Sequence, residues 1–452
     1  MEHVAIVPVP PKDTKFKNGV WLFPTEVESE IATLAAICHV KQQQRGPLRT
    51  ATGAKRDDWS DDAELSSDDE SASICAAVIT TEETLSTKMS FLDRLAEILC
   101  TKKHAHYVTC TSMITYPDKV TVLAARNASW TDADVRLLDD VATIMEQIAS
   151  RGTFDMDPMP GMRKKLANHY IPRLKYHVQS LLKQLERHDV IAGFARDCRG
   201  FQSGTVSALA LVELADRVSS SQAANMQITT SYDDGASSRI LSDIQCIRRP
   251  LLTCDALYDA ARRVDGFQQL QFLLLTGYKA KEATPCTSPS SGPLNELVEC
   301  QLAKPKWVHA EIRMITYLLN YDGARDAFRY LGISKKTCFL CGHIIQKLGN
   351  FNTRGNHGKI YSQWTIPSAL ELRDKKIETW ELTIKYLQDV LQSEATRKEL
   401  PHLQAVKEST VTTPVAPQIE RSNVFTSHIP DPRLREREST WLSSFSMRDI
   451  SE

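Results

Sequence analysis

Long apolar runs are missing from this chain of 452 residues. The longest, LQFLLLTG at 270–277, falls far short of the roughly 20 residues that a bilayer-spanning helix needs. No membrane span is expected, and the run reads as a buried helix or strand. The opening MEHVAIVPVPPKDTKFKNG has no positive stretch followed by an apolar core, so a secretory signal is not expected either. Net charge is equally scarce: 55 Lys and Arg against 56 Asp and Glu leave −1. That balance excludes a surface built wholly to grip nucleic acid, though it leaves room for a local basic patch. Cysteine is not scarce, at 11 residues, but it lacks a framework. The count is odd and only Cys338 and Cys341 sit close together. The other thiols read as reduced, buried, small apolar side chains, and an intracellular protein of the cytoplasm or nucleus is the expectation. There is no internal repeat.

The chain divides by composition. Residues 1–89 form an N-terminal region in which DDWSDDAELSSDDE (57–70) carries eight acids and no base, a solvated and disordered pattern. SFLDRLAEILC then places Leu92, Leu95, Ile98 and Leu99 at helical spacing behind Ser90 as a cap. HYVTCTSMITYPDKVTVLAARN (106–127) reads as two strands joined by a turn at YPDK. Residues 128–300 read as mainly helical, with a Pro/Ser/Gly loop at 279–296. Thr131 caps the first helix, and Leu166, Tyr170, Leu174, Val178, Leu181 and Leu185 line one face of another, kinked at Pro172. Residues 301–395 carry the most distinctive motifs and end in a helix near 368–393. A polar tail fills 396–452.

The chemistry concentrates in two segments. KPKWVHAEIRMITYLLN (304–320) puts His309 and Glu311 where an extended run becomes a helix. SKKTCFLCGHIIQKL puts Cys338 and Cys341 one helical turn apart at the start of another, behind Thr337 as a cap. Zinc prefers nitrogen and sulfur ligands in a tetrahedron, and a catalytic site uses three protein ligands. His309, Cys338 and Cys341 make such a set, with Zn2+ as the expected cofactor. Residues i and i+2 diverge inside a helix, so His309 and Glu311 cooperate only at its very start, beside a metal lying off its end. Glu311 then moves protons while a zinc hydroxide attacks, since zinc brings the pKa of bound water near 7.

This H-x-E and C-x-x-C order is that of the zinc deaminases. WVHAEIRMITYLL and YLGISKKTCFLCGHII resemble the OTT-type deaminase-like family, known largely from fungi and some intracellular bacteria, within the cytidine-deaminase-like superfamily. The resemblance covers about residues 304–366, and Thr337 stands where the superfamily usually has Pro. It implies His309, Cys338 and Cys341 as zinc ligands and Glu311 as proton shuttle. It also implies an α/β fold: a three-layer α/β/α cytidine-deaminase-like domain, discontinuous, with a large all-α insertion. Residues 90–127 would supply its first helix and hairpin, 128–300 the insertion, and 301–395 the remainder. AFRYLGIS (327–334) would be the third strand and HGKIYSQW (357–364) the fourth, with no fifth strand evident. Asn127 then falls where related deaminases place a substrate-contacting Asn.

Blander readings stand beside these. His343 or His357 could close the metal site as a fourth ligand, leaving a structural zinc. His357 could instead reach the substrate, or only bond within its loop. Trp307 and Trp364 could stack a base or fill the core. His104 and His106 read as a solvated helix end. Arg163, Lys164, Lys165, Arg173, Lys175, Lys183 and Arg187 could guide a phosphate backbone or form a solvated face. The sequence favours a zinc-dependent deaminase of a base in a nucleotide or single-stranded nucleic acid. Two alternatives remain: a silent zinc-binding fold that recruits a protein partner through 128–300, and a helical scaffold without metal.

Overall fold

The structure is a computed structural model that describes residues 3–7, 20–21, 25–44, 72–103, 107–150, 158–185, 191–275, 293–320, 327–366, 370–371 and 374–396. The acidic stretch 57–70, His104, His106, Arg187 and the tail beyond 396 lie outside them.

The first part of the chain gives β1 (Val4–Val7), β2 (Val20–Trp21), α1 (Thr25–Gln44), α2 (Ala72–Leu99), β3 (Thr109–Thr115) and β4 (Val120–Arg126). Eight helices follow: α3 (Asp132–Ser150), α4 (Met159–His169), α5 (Ile171–Leu185), α6 (Ala192–Ser203), α7 (Ala208–Ser220), α8 (Gln222–Ser231), α9 (Asp234–Ile247) and α10 (Arg249–Arg263). Then come β5 (Leu270–Leu275), α11 (Pro293–Leu302), β6 (Trp307–Val308), α12 (Ala310–Asn320), β7 (Gly332–Ile333) and α13 (Phe339–Leu348). β8 (Trp364–Thr365), β9 (Leu370–Glu371) and α14 (Asp374–Thr396) complete the described elements.

A five-stranded sheet runs β1-β5-β4-β3-β7. The β3–β4 hairpin is antiparallel and β7 adds antiparallel to β3, whereas β5 is parallel to both β4 and β1. Both faces of the sheet are covered, because alternate residues of β4 enter two different cores. Val120, Val122 and Ala124 face a core shared with α2, α3 and α10. Leu123 and Ala125 face one shared with α1, α12, α13 and α14. The α/β class and the layering of helices on both faces are therefore present.

Five expectations need correction. The segment 128–300 is not all-α: LQFLLL becomes β5, a strand buried in the main sheet. Gln271 is its one polar residue, so the run carries no clear period-2 signature, as suits an interior parallel strand. The N-terminal region is also part of the fold, since β1 extends the sheet past β5 and α1 packs along α14. The fourth strand at 357–364 does not form in the main sheet; only Trp364 begins a short strand, β8, which pairs with β6. Finally, α2 starts at Ala72, so Ser90 lies inside a helix rather than at its cap. The third strand shrinks to β7 with an isolated bridge from Ala327 to Ile114.

Other readings hold. Thr131 caps α3: its hydroxyl accepts the Asp134 N–H while the Asp134 carboxylate accepts the Thr131 N–H, a reciprocal box. The long amphipathic segment breaks at Tyr170, two residues before Pro172, and all six residues of its apolar face are buried.

Candidate active site

α12 begins at Ala310, one residue after His309, and β6 ends at Val308. His309 thus occupies the joint between strand and helix, and Glu311 falls in the first turn, as the spacing requires. α13 begins at Phe339 with Cys338 as its N-cap. The Cys338 sulfur accepts the backbone N–H of Cys341 at 3.4 Å, so the thiol does what Thr337 was expected to do. Thr337 instead donates its hydroxyl to the Gly355 carbonyl, tying the following loop to this helix start. Amides at the helix end favour a negative sulfur there.

The three side chains meet. His309 Nδ1 lies 3.5 Å from the sulfurs of both Cys338 and Cys341. All three candidate donor atoms fall within 4.8 Å of one another. A single imidazole nitrogen has one lone pair or one proton, so it cannot direct a linear hydrogen bond at two sulfurs at once. Ligand atoms about 2.0 and 2.3 Å from one tetrahedral ion would stand about 3.5 Å apart. The donor set and its spacing therefore fit Zn2+. Among the described residues, no fourth His, Cys, Asp or Glu joins the group.

The electrostatics agree with that reading. Burial opposes ionisation of Cys338, but hydrogen bonds from Cys341 and the charge of His309 hold its thiol well below the ordinary value. Cys341 is pushed the other way by burial and by the neighbouring Cys338. The indole N–H of Trp364 donates to Cys341 Sγ at 3.4 Å. Glu311 is 2 % exposed, and its carboxyl is raised by burial, with His309 partly opposing. Its Oε2 is buried and has no hydrogen-bond partner among the described residues. An orphaned carboxylate oxygen is costly in a core unless a ligand meets it. Glu311 is near the cluster without belonging to it.

The remaining expectations sort as follows. His357 is buried; its Nδ1 accepts the Lys359 N–H, and its ring meets Tyr361 edge-on at 5.7 Å between centroids. Tyr361 in turn lies 6.1 Å from the His309 ring, so one aromatic ring separates the two histidines. Asn127 is buried just past β4, beside Arg126, whose carbonyl receives the Arg313 guanidinium from α12. His343 points elsewhere, to the Tyr386 hydroxyl at 3.1 Å. Trp364 is core, though with a polar duty. The basic residues do not share one face: Arg173 is buried, Arg163 meets Asp255 and Lys165 meets Asp140. Tyr361 and the N–H of Trp364 had no sequence signal, since neither lies at a motif spacing.

A deaminase family matches here. Its model, described as an OTT_1508_deam-like deaminase, covers residues 308–368. That deaminase-like segment holds all three candidate ligands and Glu311. None of the curated proteins and none of the solved structures compared with the chain matches it.

Proposed function

We propose that the chain is a zinc-dependent hydrolytic deaminase acting on a nucleobase in a nucleotide or nucleic acid. The observation that carries this reading is one imidazole nitrogen equidistant from two sulfurs, with a buried carboxylate next to it whose Oε2 has no hydrogen-bond partner among the described residues. His309, Cys338 and Cys341 would hold the ion. Bound there, zinc would supply Lewis acidity and a water that ionises near neutral pH.

The chain's own residues do the rest. Glu311 takes the proton of the attacking water and delivers it to the amino nitrogen that leaves as ammonia. Its raised carboxyl suits both halves of that transfer, because it can hold the proton between them. The closed surroundings of Glu311 keep bulk water from short-circuiting the relay. Asn127 and His357 are assigned to the substrate side, Asn127 by its place beyond β4 and His357 by its approach through Tyr361. No described helix is long and apolar enough to cross a membrane. A protein partner bound through the described helices α3–α10 belongs to the same proposal.

The test is Glu311→Gln. It should keep one equivalent of zinc by elemental analysis and lose ammonia release from cytosine- or adenine-containing nucleosides, nucleotides and single strands by at least about a hundredfold. Full activity in the variant removes Glu311 from the chemistry. Wild-type protein with stoichiometric zinc and no ammonia from any of these would favour the silent, zinc-holding fold.

A further inference from the structure

A basic and aromatic surface borders the metal centre at one end of the main sheet. Lys103 Nζ lies 4.3 Å from the centre of the Tyr176 ring and also donates to the Tyr176 hydroxyl. Arg173 approaches the same ring, its guanidinium carbon 5.8 Å from the centroid. One residue back, Lys102 Nζ stands 4.9 Å over the Tyr107 ring, which Arg126 approaches at 5.7 Å. These contacts run unbroken from α5, past the end of α2, to the residues before β3. Both lysines are exposed and both tyrosines half-buried, so the surface is open to solvent.

Hydrogen bonds fix its place beside the candidate ligands. The Thr109 hydroxyl donates to the Tyr107 carbonyl at 3.1 Å, and Thr109 and Ser334 exchange two hydrogen bonds of 3.0 Å. Ser334 precedes Cys338 by four residues. On the other side, the Arg126 carbonyl receives the guanidinium of Arg313, whose backbone N–H donates to the His309 carbonyl one helical turn earlier. The charge on this surface is one-sided. Among the described residues no carboxylate pairs with Lys102, Lys103 or Arg173. Asp134 is taken by Arg126 and approached by His169. Arg173 is 5 % exposed, and its Nε and Nη1 have no hydrogen-bond partner among the described residues. A buried cation without a counter-charge is costly, and an anion arriving beside it offsets that cost.

We propose that Lys102, Lys103 and Arg173, with Tyr107 and Tyr176 between them, form a binding surface for single-stranded nucleic acid. Naming that polymer as the substrate class rests on the deaminase reading; the binding itself does not. Phosphates draw the exposed ammonium groups off the ring faces, and the faces so uncovered take bases by stacking. A duplex keeps its base faces hidden, and a free nucleotide carries a single base for two rings. A strand therefore matches this alternation of cations and rings better than either. Held here, it leads a neighbouring nucleotide toward the metal end of the sheet.

The test is fluorescence anisotropy of a labelled single strand of about 20 nucleotides with the full, zinc-loaded chain, long enough to span a site of the usual size. Lys102→Ala combined with Lys103→Ala changes only exposed side chains. It should weaken strand binding by at least about tenfold at about 0.1 M salt and make the slope of log affinity against log salt shallower by about 1.4. Tyr176→Leu should weaken binding by about fivefold or more and leave that slope unchanged, as the loss of one stacked base predicts. Wild-type affinity and slope in the double lysine variant overturn the proposal. So does a lysine variant that loses phosphatidylserine vesicles but keeps the strand, which makes the surface a lipid one. Tight strand binding without ammonia release counts against the deaminase reading and leaves the surface standing. Ammonia from free nucleosides with no strand binding does the reverse.

Discussion

The indole N–H of Trp364 points at the sulfur of Cys341 from 3.4 Å, with the ring itself almost wholly buried at 1 % exposure. The contact joins β8 to the start of α13, so the small β6–β8 ladder sets the position of a candidate ligand. A donor to a ligating thiolate spreads its charge and fixes its direction, and loss of such partners typically costs ten- to a hundredfold in metal affinity. Trp364→Phe keeps most of the apolar ring and deletes the donor. Zinc affinity, measured by chelator competition, should fall by about tenfold or more with the fold intact by circular dichroism. Equal affinity in the two proteins would reduce Trp364 to packing.

His343 and His357 test whether the metal group is closed. His343 bonds Tyr386 and His357 accepts from Lys359, and neither stands among the three converging atoms. His343→Ala and His357→Ala should both retain one equivalent of zinc, whereas Cys338→Ala and Cys341→Ala should lose it. Loss of zinc in either histidine variant would mean a fourth ligand and a structural site.

The convergence of His309, Cys338 and Cys341 as a candidate metal group was readable from sequence because its spacing rules are local. A His at a strand–helix joint and two Cys one turn apart on a helix start are dictated by neighbours within a few residues. The hairpin was readable too, since YPDK separates two β-rich runs. β5 was not, because a strand buried on both faces shows the same apolar run as a buried helix. β1 was equally silent: four residues far from their partner gain their stability from pairing with β5, not from their own pattern. The failed fourth strand has the opposite cause. HGKIYSQW is a strand only on the order of elements that the resemblance implies, yet the Lys359 N–H turns back to the His357 ring and Gly358 has φ +70°, so no straight run forms.

Gly332 is a second place where close packing decides. A Cβ there would lie 2.4 Å from the Leu92 carbonyl carbon and 2.5 Å from Thr111 Oγ1. Thr111 already donates to the Leu92 carbonyl at 2.8 Å, so α2 rests directly on the sheet at this point. Gly332→Ala must push α2 from β7 and should cost about 1–3 kcal/mol, seen as a Tm lower by several degrees. An unchanged Tm would show that α2 can move aside freely.

Glu97 carries the clearest pH signature. Its carboxylate accepts from Arg94 at 2.9 Å and from Arg354 at 2.7 Å, with Arg249 Nε at 3.9 Å. It thereby clamps α2, α10 and the loop after α13 together. Burial raises its carboxyl, but the three guanidiniums more than offset that and hold it down to about 2, against an ordinary 4.5. A value depressed by folding means stability fully present above about pH 4.5 and lost as pH falls toward about 2. Asp93 beside it is pushed up by burial and works in the opposite direction, but it is common to wild type and variant. Glu97→Gln leaves buried cations uncompensated and should cost about 3–5 kcal/mol at pH 7. The difference in Tm between wild type and Glu97→Gln should hold steady from pH 7 to about 5 and narrow below it, as the carboxylate takes up a proton in the unfolded wild-type chain that the folded one still refuses. A difference independent of pH down to acid unfolding would mean that the network is held by packing rather than by the charge of Glu97.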